Sequence, residues 1–435
     1  MGAPWWVHSG ADWSMPALSV TDLARRVYYG WYVVLACNFV ACITWGVAIF
    51  NQGVFAAQLV TLHGWSPAAL SVGPVLFHIW GGIAGIVVGR VVDRHGPRPV
   101  LLAGAGFICL ALAGFVVVSE VWHTYVVFVV LGTGFACIHT ITLGKIVARW
   151  FVRQRSRAMA MATIGAGIGG AVLVPLNASM MLGYGIAGGS LALIVVTVLV
   201  IVPIALWVVK DGPEVLGLEP DGDGNGTAAD PPAGVGQAVG ADQRVWSSGE
   251  AMRTVSFWGL SFCFALGMVA QSSFLFHQVP FLTLRLGLMG AASVVTVTTL
   301  CGIAGRLAFI AVGDRLPVKA WMAIMLGLQA LAFVVFVVAE DATALTIGSA
   351  MFGVTMGVLV TLQPLATAQV FGQASFGRIY GMIYMWIRVG AALGPGITGL
   401  ILGLTGQYVA AWLILAGCLG LALAALPWAV RAREA

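Results

Sequence analysis

The sequence predicts an all-α membrane protein with twelve transmembrane helices in two pseudo-symmetric six-helix bundles. Of its 435 residues, 60% are apolar and only 9% are charged, whereas a soluble domain carries about 25% charged residues. A chain so poor in charge cannot cover a water-soluble surface. Its apolar residues form continuous runs, and about 20 of them suffice to cross a bilayer as a helix. Spanning β-barrels are excluded because their strands alternate apolar and polar residues in segments of about 10.

The apolar runs fall into two sets of six, separated by a polar linker. The linker, 211–250, is rich in Gly, Pro and Asp, which predicts a flexible, solvated segment. The predicted bundles are 29–210 and 251–428, with cytoplasmic tails at 1–28 and 429–435. The predicted helices are 29–59, 67–92, 99–119, 123–149, 158–183, 186–209, 254–281, 288–313, 319–339, 342–371, 378–403 and 407–428.

The basic residues indicate the side of the membrane on which each loop lies. With a cytoplasmic N-terminus, 17 of the 21 Lys and Arg residues fall on the cytoplasmic side, and Arg285 is the only one outside. Such an excess is typical of cytoplasmic loops. No cleavable signal peptide is predicted, since the first residues lack a basic start and a short apolar core. We therefore expect a multi-pass protein of the cytoplasmic (inner) membrane with both termini inside.

Short repeats relate the two halves. The tetrapeptide GIAG occurs at 82–85 and again at 302–305, each time shortly before an Asp-Arg pair in a predicted cytoplasmic loop. A second glycine pattern occurs at 165–169 and at 390–394. Repeats at corresponding helices indicate a transporter built by internal duplication, with its binding site between the halves.

The loop after the second predicted helix reads GRVVDRHGPR at 89–98. Gly96 followed by Pro97 predicts a tight turn, and Asp93 is suited to cap a helix or to pair with an arginine across the bundle interface. The segment resembles the cytoplasmic loop signature of the major facilitator superfamily, which implies a latch that holds one conformation without touching substrate. The resemblance assigns this latch to Gly89, Asp93, Arg94, Gly96 and Arg98 and, in a degraded second copy, to Asp314 and Arg315.

A narrower resemblance covers nearly the whole membrane region. It rests on segments near the helix ends: Tyr29-Gly30-Trp31, Gly64-Trp65-Ser66, Arg149-Trp150-Phe151, HQVP at 277–280 and PEVLGLEPDG at 213–222. Together these resemble the bacterial monocarboxylate transporter and oxalate:formate antiporter branch. The resemblance implies secondary transport of a small organic anion such as lactate, pyruvate, formate or oxalate, by alternating access with proton symport or anion exchange.

The charges within the predicted helices point to an anion independently of that resemblance. All 16 acidic residues fall in loops or tails, so Lys145, Arg306 and Arg388 have no predicted carboxylate partner inside the membrane. An ionised side chain near the bilayer centre costs at least about 2.5–3.5 kcal/mol, and a bound anion would compensate for it. Lys145 lies close to the cytoplasmic end of its helix, where its side chain can extend to the interface.

Arg306 is the principal candidate for substrate binding. It lies about 12 Å along its helix from the cytoplasmic end, and a guanidinium can donate two parallel hydrogen bonds to a carboxylate. The resemblance implies that an arginine at this place in the eighth helix binds the substrate carboxylate; a structural arginine bonded to carbonyls is the alternative. Arg388 lies about 15 Å into the eleventh helix. The resemblance implies a cation in this helix in some oxalate:formate relatives, but the closest register places it at Ile387, one residue before Arg388. Tyr384, one turn earlier on the same helix face as Arg388, is placed to donate a hydrogen bond from its hydroxyl to the substrate.

Three histidines, His277, His78 and His139, are the candidates for proton coupling, because imidazole titrates near neutral pH. In the animal monocarboxylate transporters, the resemblance assigns proton handling to an aspartate four residues before the arginine. That position is Gly302 here, which favours anion exchange or a histidine route. Two amides at similar depth, Gln363 and Asn38, are further candidates for substrate contact.

No enzyme activity, cofactor, metal or nucleic-acid partner is predicted, since the sequence has no Walker pattern, metal cluster or nucleophile–base pair. The expected partners are a small carboxylate substrate and the lipid bilayer, and we expect a functional monomer. A multidrug or neutral-solute exporter of the same fold is the alternative. A membrane enzyme would need clustered catalytic groups within the helices, and a receptor would need a sizeable soluble domain; the sequence offers neither.

Overall fold

The computed structural model describes residues 28–210, 212–222, 246–372 and 375–430, without the side chains of Thr140, Ser156 and Asp314. Within these residues the chain is helical and contains no β-strand. Ten helices are long and apolar enough to cross a membrane. Two of them, Arg157–Val208 and Val255–Val312, have 52 and 58 residues and so would measure roughly 80 Å at 1.5 Å per residue. That is more than twice the thickness of a hydrocarbon core, about 30 Å.

Both long helices are broken at a glycine in the left-handed region. Gly185 has a φ of 67° and Gly287 a φ of 68°, a conformation that glycine adopts without steric cost. Each long helix therefore supplies two membrane-length segments, and the ten helices give twelve segments in the described part of the chain. The predicted all-α membrane fold is confirmed.

We number these segments α1 to α12. Their bounds are Tyr29–His63, Pro67–His95, Pro97–Val116, Val121–Trp150, 157–184, 186–208, 255–286, 288–312, Val318–Val338, Ala342–Phe371, Phe376–Thr405 and Tyr408–Ala429. Two of them are irregular near their middle. α1 contains the π-helical turn Gly46–Phe50, and α4 is interrupted at His139, whose backbone is not helical.

Consecutive segments run in opposite directions, so the arginine-rich connections all lie at one end of the molecule. We call this the basic end and the opposite end the far end. At the basic end, Tyr29 Oη donates to the carbonyl of Val208 at 2.9 Å, which joins the start of α1 to the end of α6. Tyr28 Oη donates to the carbonyl of Trp150, also at 2.9 Å. Burial and the nearby charge of Asp221 raise the pKa of Tyr28 to about 12, so the phenol stays a neutral donor.

The glycine repeats make matching contacts in the two halves. In α5, Gly165 and Gly169 lie so close to carbonyl groups of α1 that a Cβ at either position would overlap them. In α11, Gly390 and Gly394 lie equally close to carbonyl groups of α7. The pairs α1–α5 and α7–α11 therefore correspond, as expected for two related bundles, α1–α6 and α7–α12. Glycine permits such close helix approach in membranes because it adds no side chain.

The two halves meet along a seam formed mainly by α1, α2 and α5 on one side and α7, α8 and α11 on the other. At the far end, Gly399 of α11 lies against Ser71 of α2, and Gly53 of α1 lies against the carbonyl of Phe276 of α7. In the middle, Thr296 Oγ1 of α8 donates to the carbonyl of Ala171 at 3.0 Å. The far end of the seam is closed by direct backbone contact.

The linker begins with an anchored segment, which differs from the flexible segment predicted for it. The carboxylate of Asp221 accepts hydrogen bonds from the backbone N–H groups of Val152, Arg153 and Gln154 at 3.0, 2.8 and 3.1 Å. The first part of the linker is thus fixed to the α4–α5 connection. Residues 246–250 of the predicted linker are described, whereas 211 and 223–245 and the predicted tail residues 1–27 and 431–435 lie outside the described residues. So do the predicted cytoplasmic charges Arg25, Arg26, Arg244, Arg431 and Arg433.

Candidate functional site

A cavity of about 350 Å³ lies on the seam, between the middle of the molecule and its basic end. α2 and α4 line it from the first half, and α11 lines it from the second. Its lining consists of Phe77, Gly81, Gly82, Gly85, Ile86, Phe135, Ala136, His139, Ile141, Tyr384 and Arg388. Because both halves contribute, any relative movement of the halves changes the shape of this cavity.

Arg388 and Tyr384 form the polar wall of the cavity. They lie one helical turn apart on α11, both half-buried. Within the described residues, the structure gives no hydrogen bond or ion pair to the guanidinium of Arg388. The neighbouring Ile387 is 1% exposed and packs in the core. In this chain the cavity therefore receives its charge from position 388.

His139 faces Arg388 across the cavity, at the point where α4 loses its helical geometry. The indole Nε1–H of Trp45 points at its imidazole, 2.9 Å from Nε2 and 3.2 Å from Nδ1. A ring nitrogen that accepts a hydrogen bond carries no proton, so Trp45 holds the imidazole in a neutral form while this bond exists.

His78 is half-buried beside the cavity-lining Phe77, with the two rings 5.1 Å apart. Its Nδ1 is buried without a hydrogen-bond partner among the described residues. An interrupted helix and unsatisfied polar atoms are tolerated at membrane depth where they line a cavity. His139 is thus the imidazole of the first-half wall, and His78 lies beside the lining without being part of it.

Arg306 lies outside the set of residues that line the cavity. On α8, Thr299 and Ile303 pack against α5 of the other half, and Arg306 follows Ile303 by one turn on the same face, toward the basic end. Its guanidinium lies beside Gly357 of α10, where a Cβ would be 3.1 Å from Nε. The side chain is half-buried, and among the described residues it has neither a hydrogen bond nor an ion pair.

Lys145 is paired, which corrects the prediction that it has no carboxylate partner. Its ammonium forms an ion pair with Asp93 and donates to the carbonyl of Gly89 at 3.3 Å. α2 continues through His95, three residues beyond the predicted end, which brings Asp93 into the helix and opposite α4. Asp93 therefore pairs with a lysine of its own half instead of capping a helix or bonding an arginine across the interface.

The rest of the latch segment is a sharp turn. Gly96, with a φ of 79°, is the single residue between α2 and α3, and Pro97 is the first residue of α3. Arg98 Nε donates to the carbonyl of Val209 at the end of α6, while Arg94 is exposed. Arg315 ends the short helix Gly313–Arg315 after α8; the side chain of Asp314 lies outside the description.

His277 lies at the far end, away from the cavity, and is completely buried. Its Nε2 is 3.3 Å from Ser71 Oγ of α2 and 3.2 Å from the carbonyl of Pro395 of α11. Ser71 donates its own hydroxyl proton to the carbonyl of Pro67 at 2.6 Å, so both neighbours of Nε2 act as acceptors and Nε2 carries the proton. The Nε2–H group thus bridges the two halves where the seam is closed.

The two amide candidates lie within helix packing. Asn38 Nδ2 donates to the carbonyl of Met161 at 2.7 Å and so joins α1 to α5. Gln363 is 3% exposed within α10. Within the described residues, no three His, Cys, Asp or Glu side chains come together in a way that would hold a metal.

Several cavity residues were not among the sequence candidates. Phe77, Phe135 and Trp45 form an aromatic cluster around His139, with ring centroids 5.0–6.0 Å apart. Gly82 and Gly85 come from the GIAG repeat, which indicates duplication but not the side of the helix that faces a cavity. Trp45 gave a weak indication of a functional site in the sequence, because it lies in the middle of a span whereas tryptophans usually lie at the membrane interface.

The sequence model of the Major Facilitator Superfamily matches residues 34–395, from α1 into α11. Monocarboxylate transporter 13 of Rattus norvegicus is 27% identical over 403 residues, which cover 89% of this chain and 85% of the rat protein. The oxalate:formate antiporter of Oxalobacter formigenes is 21% identical over 84% of each chain. The solved structure of a mutant of the nucleoside transporter NupG has a TM-score of 0.68 at 13% identity, over 92% of this chain and 100% of that one.

Proposed function

The chain belongs to the major facilitator superfamily, and we propose that it is a secondary transporter that carries a small organic anion by alternating access. The observation that carries the proposal is the position of Arg388 in a cavity between the halves, without a carboxylate partner among the described residues. An unpaired charge within the membrane is costly, and a carboxylate that accepts two hydrogen bonds from the guanidinium compensates for it.

Arg306 is the second cation of the proposed site. It lies one turn beyond the contact of α8 with α5, on the same face, where the halves begin to separate toward the basic end. In our proposal the two arginines engage the substrate at different stages. Arg388 holds the carboxylate in the cavity, and Arg306 attracts it from the basic end. Tyr384 adds a hydroxyl donor beside Arg388, while Gln363 and Asn38 contribute to helix packing around the site.

The closed far end and the cavity toward the basic end correspond to one state of an alternating-access cycle. We propose that this state is open to the cytoplasm, in the cytoplasmic membrane with both termini inside, because the arginine-rich connections lie at that end. With a substrate carboxylate on Arg388, the halves can close around a neutralised pair. Without it, closure would bury an unpaired charge.

If transport is coupled to protons, the histidines are the groups that carry them. His139 is the cavity histidine, and release of its bond from Trp45 would leave a nitrogen free to accept a proton beside the bound anion. His78 lies behind it, and His277 acts at the far end. Exchange of one anion for another needs no such proton, and uptake with and without a pH gradient separates the two modes.

The test is uptake of labelled lactate, pyruvate, formate and oxalate into proteoliposomes that contain the parent protein, Arg306→Ala or Arg388→Ala. Charge-assisted hydrogen bonds are worth about 1.5–3 kcal/mol, so we expect kcat/KM to fall about 10- to 100-fold in each variant. Arg285→Ala is the matched control, because this arginine bonds the carbonyl of Ala339 at the far end. Uptake of an anion at parental rates by both Arg306→Ala and Arg388→Ala would contradict the proposal. Arginine-independent transport of a hydrophobic cation would favour a multidrug exporter instead.

A further inference from the structure

The two walls of the cavity differ in chemistry. Among the described residues that line it, the second half contributes only Arg388 and Tyr384, both polar. The described lining of the first half is a continuous apolar surface from α2 and α4, in which His139 is the only polar side chain. A ligand that lies across the seam therefore meets a cation on one side and hydrocarbon on the other.

The apolar wall is flat where α2 faces the cavity. Gly81, Gly82 and Gly85 have no side chains, and a Cβ at Gly82 would meet nothing within 4 Å. Phe77 and Phe135 flank this surface, with their rings 5.4 Å apart. A flat apolar surface bordered by aromatic rings accommodates a planar or branched hydrocarbon group through van der Waals contact and burial of apolar area.

The cavity in this state is much larger than the smallest anions. A cavity of about 350 Å³ has room for roughly a dozen water molecules at about 30 Å³ each. Formate or oxalate would fill only a small part of it and leave the apolar wall in contact with water. Sites for larger organic ligands begin at about 300 Å³.

The number of cations in the cavity lining also distinguishes dicarboxylate from monocarboxylate substrates. Oxalate carries two carboxylates at opposite ends, and each needs a donor. The lining supplies one guanidinium, and across from it are the imidazole of His139, which Trp45 holds in a neutral form, and the aromatic and glycine surfaces. A second carboxylate placed there would lose its hydration without gaining a charge-assisted hydrogen bond.

Resting on the proposed function, we propose that the cargo is a monocarboxylate with a bulky apolar body, aromatic or branched aliphatic. Its carboxylate binds Arg388 and Tyr384, and its body lies on the glycine surface of α2, beside the paired rings of Phe77 and Phe135. Burial of the body, at about 25 cal/mol per Å² of apolar surface, selects this class over small hydrophilic anions.

The experiment measures kcat/KM for labelled phenylacetate, lactate, formate and oxalate in proteoliposomes, with protein-free liposomes as the background. We expect phenylacetate to exceed formate and oxalate by at least about tenfold, since each methylene in an apolar pocket discriminates by about 10- to 200-fold. Gly82→Leu fills the space above the glycine surface, so we expect the phenylacetate-to-lactate ratio of kcat/KM to fall at least about tenfold. Gly106→Leu is the matched control: a Cβ at Gly106 also meets nothing within 4 Å, and this exposed glycine of α3 is not in the cavity.

The outcomes distinguish the two proposals. Arginine-dependent transport of formate or oxalate without phenylacetate, or a Gly82→Leu variant that leaves the ratio unchanged, overturns the assignment of an apolar cargo and leaves anion transport intact. Transport of none of the four anions in an Arg388-dependent manner overturns both proposals.

Discussion

Glycines lie at both ends of the seam between the halves, but the halves are in contact at the far end and are separated by a cavity toward the basic end. At the far end, Gly399 touches Ser71 and the Nε2–H group of His277 bridges α2 and α11, so the halves are in contact. Toward the basic end, Gly82 faces open space and Arg388 faces a cavity. Glycine removes a side chain in both places, but at Gly399 the side chain of Ser71 fills the space, whereas a Cβ at Gly82 would meet no described atom within 4 Å.

The two ends of the seam also differ in how their polar side chains are bonded, and this difference indicates where the substrate binds. The closed end satisfies its buried imidazole Nε2–H with acceptors from both halves. The open end holds a guanidinium to which no described protein group bonds. The hydrogen-bonded Nε2–H group links the halves at the closed end, whereas the guanidinium at the open end is available to a ligand.

The largest effect is expected from moving the cavity charge by one position. In the variant Ile387→Arg with Arg388→Ile, the guanidinium would lie on the face of α11 that is 1% exposed in the parent, and the cavity would lose its cation. We expect uptake of the transported anion to fall about 100-fold, at the upper end of the energy of charge-assisted hydrogen bonds. Proteoliposome uptake measures the change, and Arg388→Ile alone is the control for folding. A swapped variant as active as the parent would show that position 387 faces the substrate.

The second-largest effect is expected on the contact between the halves at the closed far end. A Cβ at Gly399 would overlap the side chain of Ser71, so Gly399→Val should push the halves apart there. Overpacking costs about 1–3 kcal/mol, which corresponds to a population shift of about 5- to 150-fold toward a separated far end. Spin labels at Leu62 and Leu404, which are 57% and 80% exposed at the far ends of α1 and α11, report the distance by pulsed EPR.

This measurement uses a background in which the seven native cysteines are replaced. Gly417→Val is the matched control, because a Cβ at this exposed glycine of α12 meets nothing within 4 Å. An unchanged distance distribution in Gly399→Val would mean that the contact does not hold the halves together.

A smaller effect is expected from the bridging imidazole. His277→Phe and Ser71→Ala each remove the hydrogen bond between the halves, worth about 0.5–1.5 kcal/mol, so the population with a separated far end should rise about 2- to 10-fold. The double variant should show no further change, because both substitutions break the same bond. Ser293→Ala is the control, since that hydroxyl bonds only within α8, to the carbonyl of Met289. Fully additive effects of the two substitutions would show that they act independently.

The smallest effect is expected at the basic end, in the ion pair of Lys145 with Asp93. The two side chains are 35% and 70% exposed, and exposed pairs contribute about 0.2–1 kcal/mol. Asp93→Asn should therefore change the transport rate by about fivefold or less, with a smaller effect in high salt. Uptake at two ionic strengths measures it. A 100-fold loss would mean that Asp93 does more than pair with this lysine.

The fold was largely predictable because continuous apolar runs and the bilayer thickness leave few alternatives. The breaks at Gly185 and Gly287 fall between the spans predicted from composition, and the glycine repeats identify equivalent helix pairs. The end of α2 was less predictable, since the helix continues into the charged loop segment as far as His95.

The site was predictable in its residue types and less so in its partners. An embedded arginine is visible in the sequence as an energetic anomaly, and Arg388 does lie at a cavity. The partner of Lys145 could not be inferred, because Asp93 is 52 positions away and approaches only when α2 packs on α4. The bond from Trp45 to His139 also depends on tertiary packing, since it joins α1 to the point where α4 is interrupted.

The central claim is that a carboxylate neutralises the cation of the cavity. Equilibrium binding of lactate and phenylacetate, each compared with its uncharged carboxamide, tests this most directly in the purified parent and in Arg388→Gln. We predict that at least one acid binds the parent about tenfold or more tighter than its amide, and that Arg388→Gln abolishes the difference. If both amides bind the parent as tightly as the acids do, the cavity does not recognise negative charge and the account is wrong.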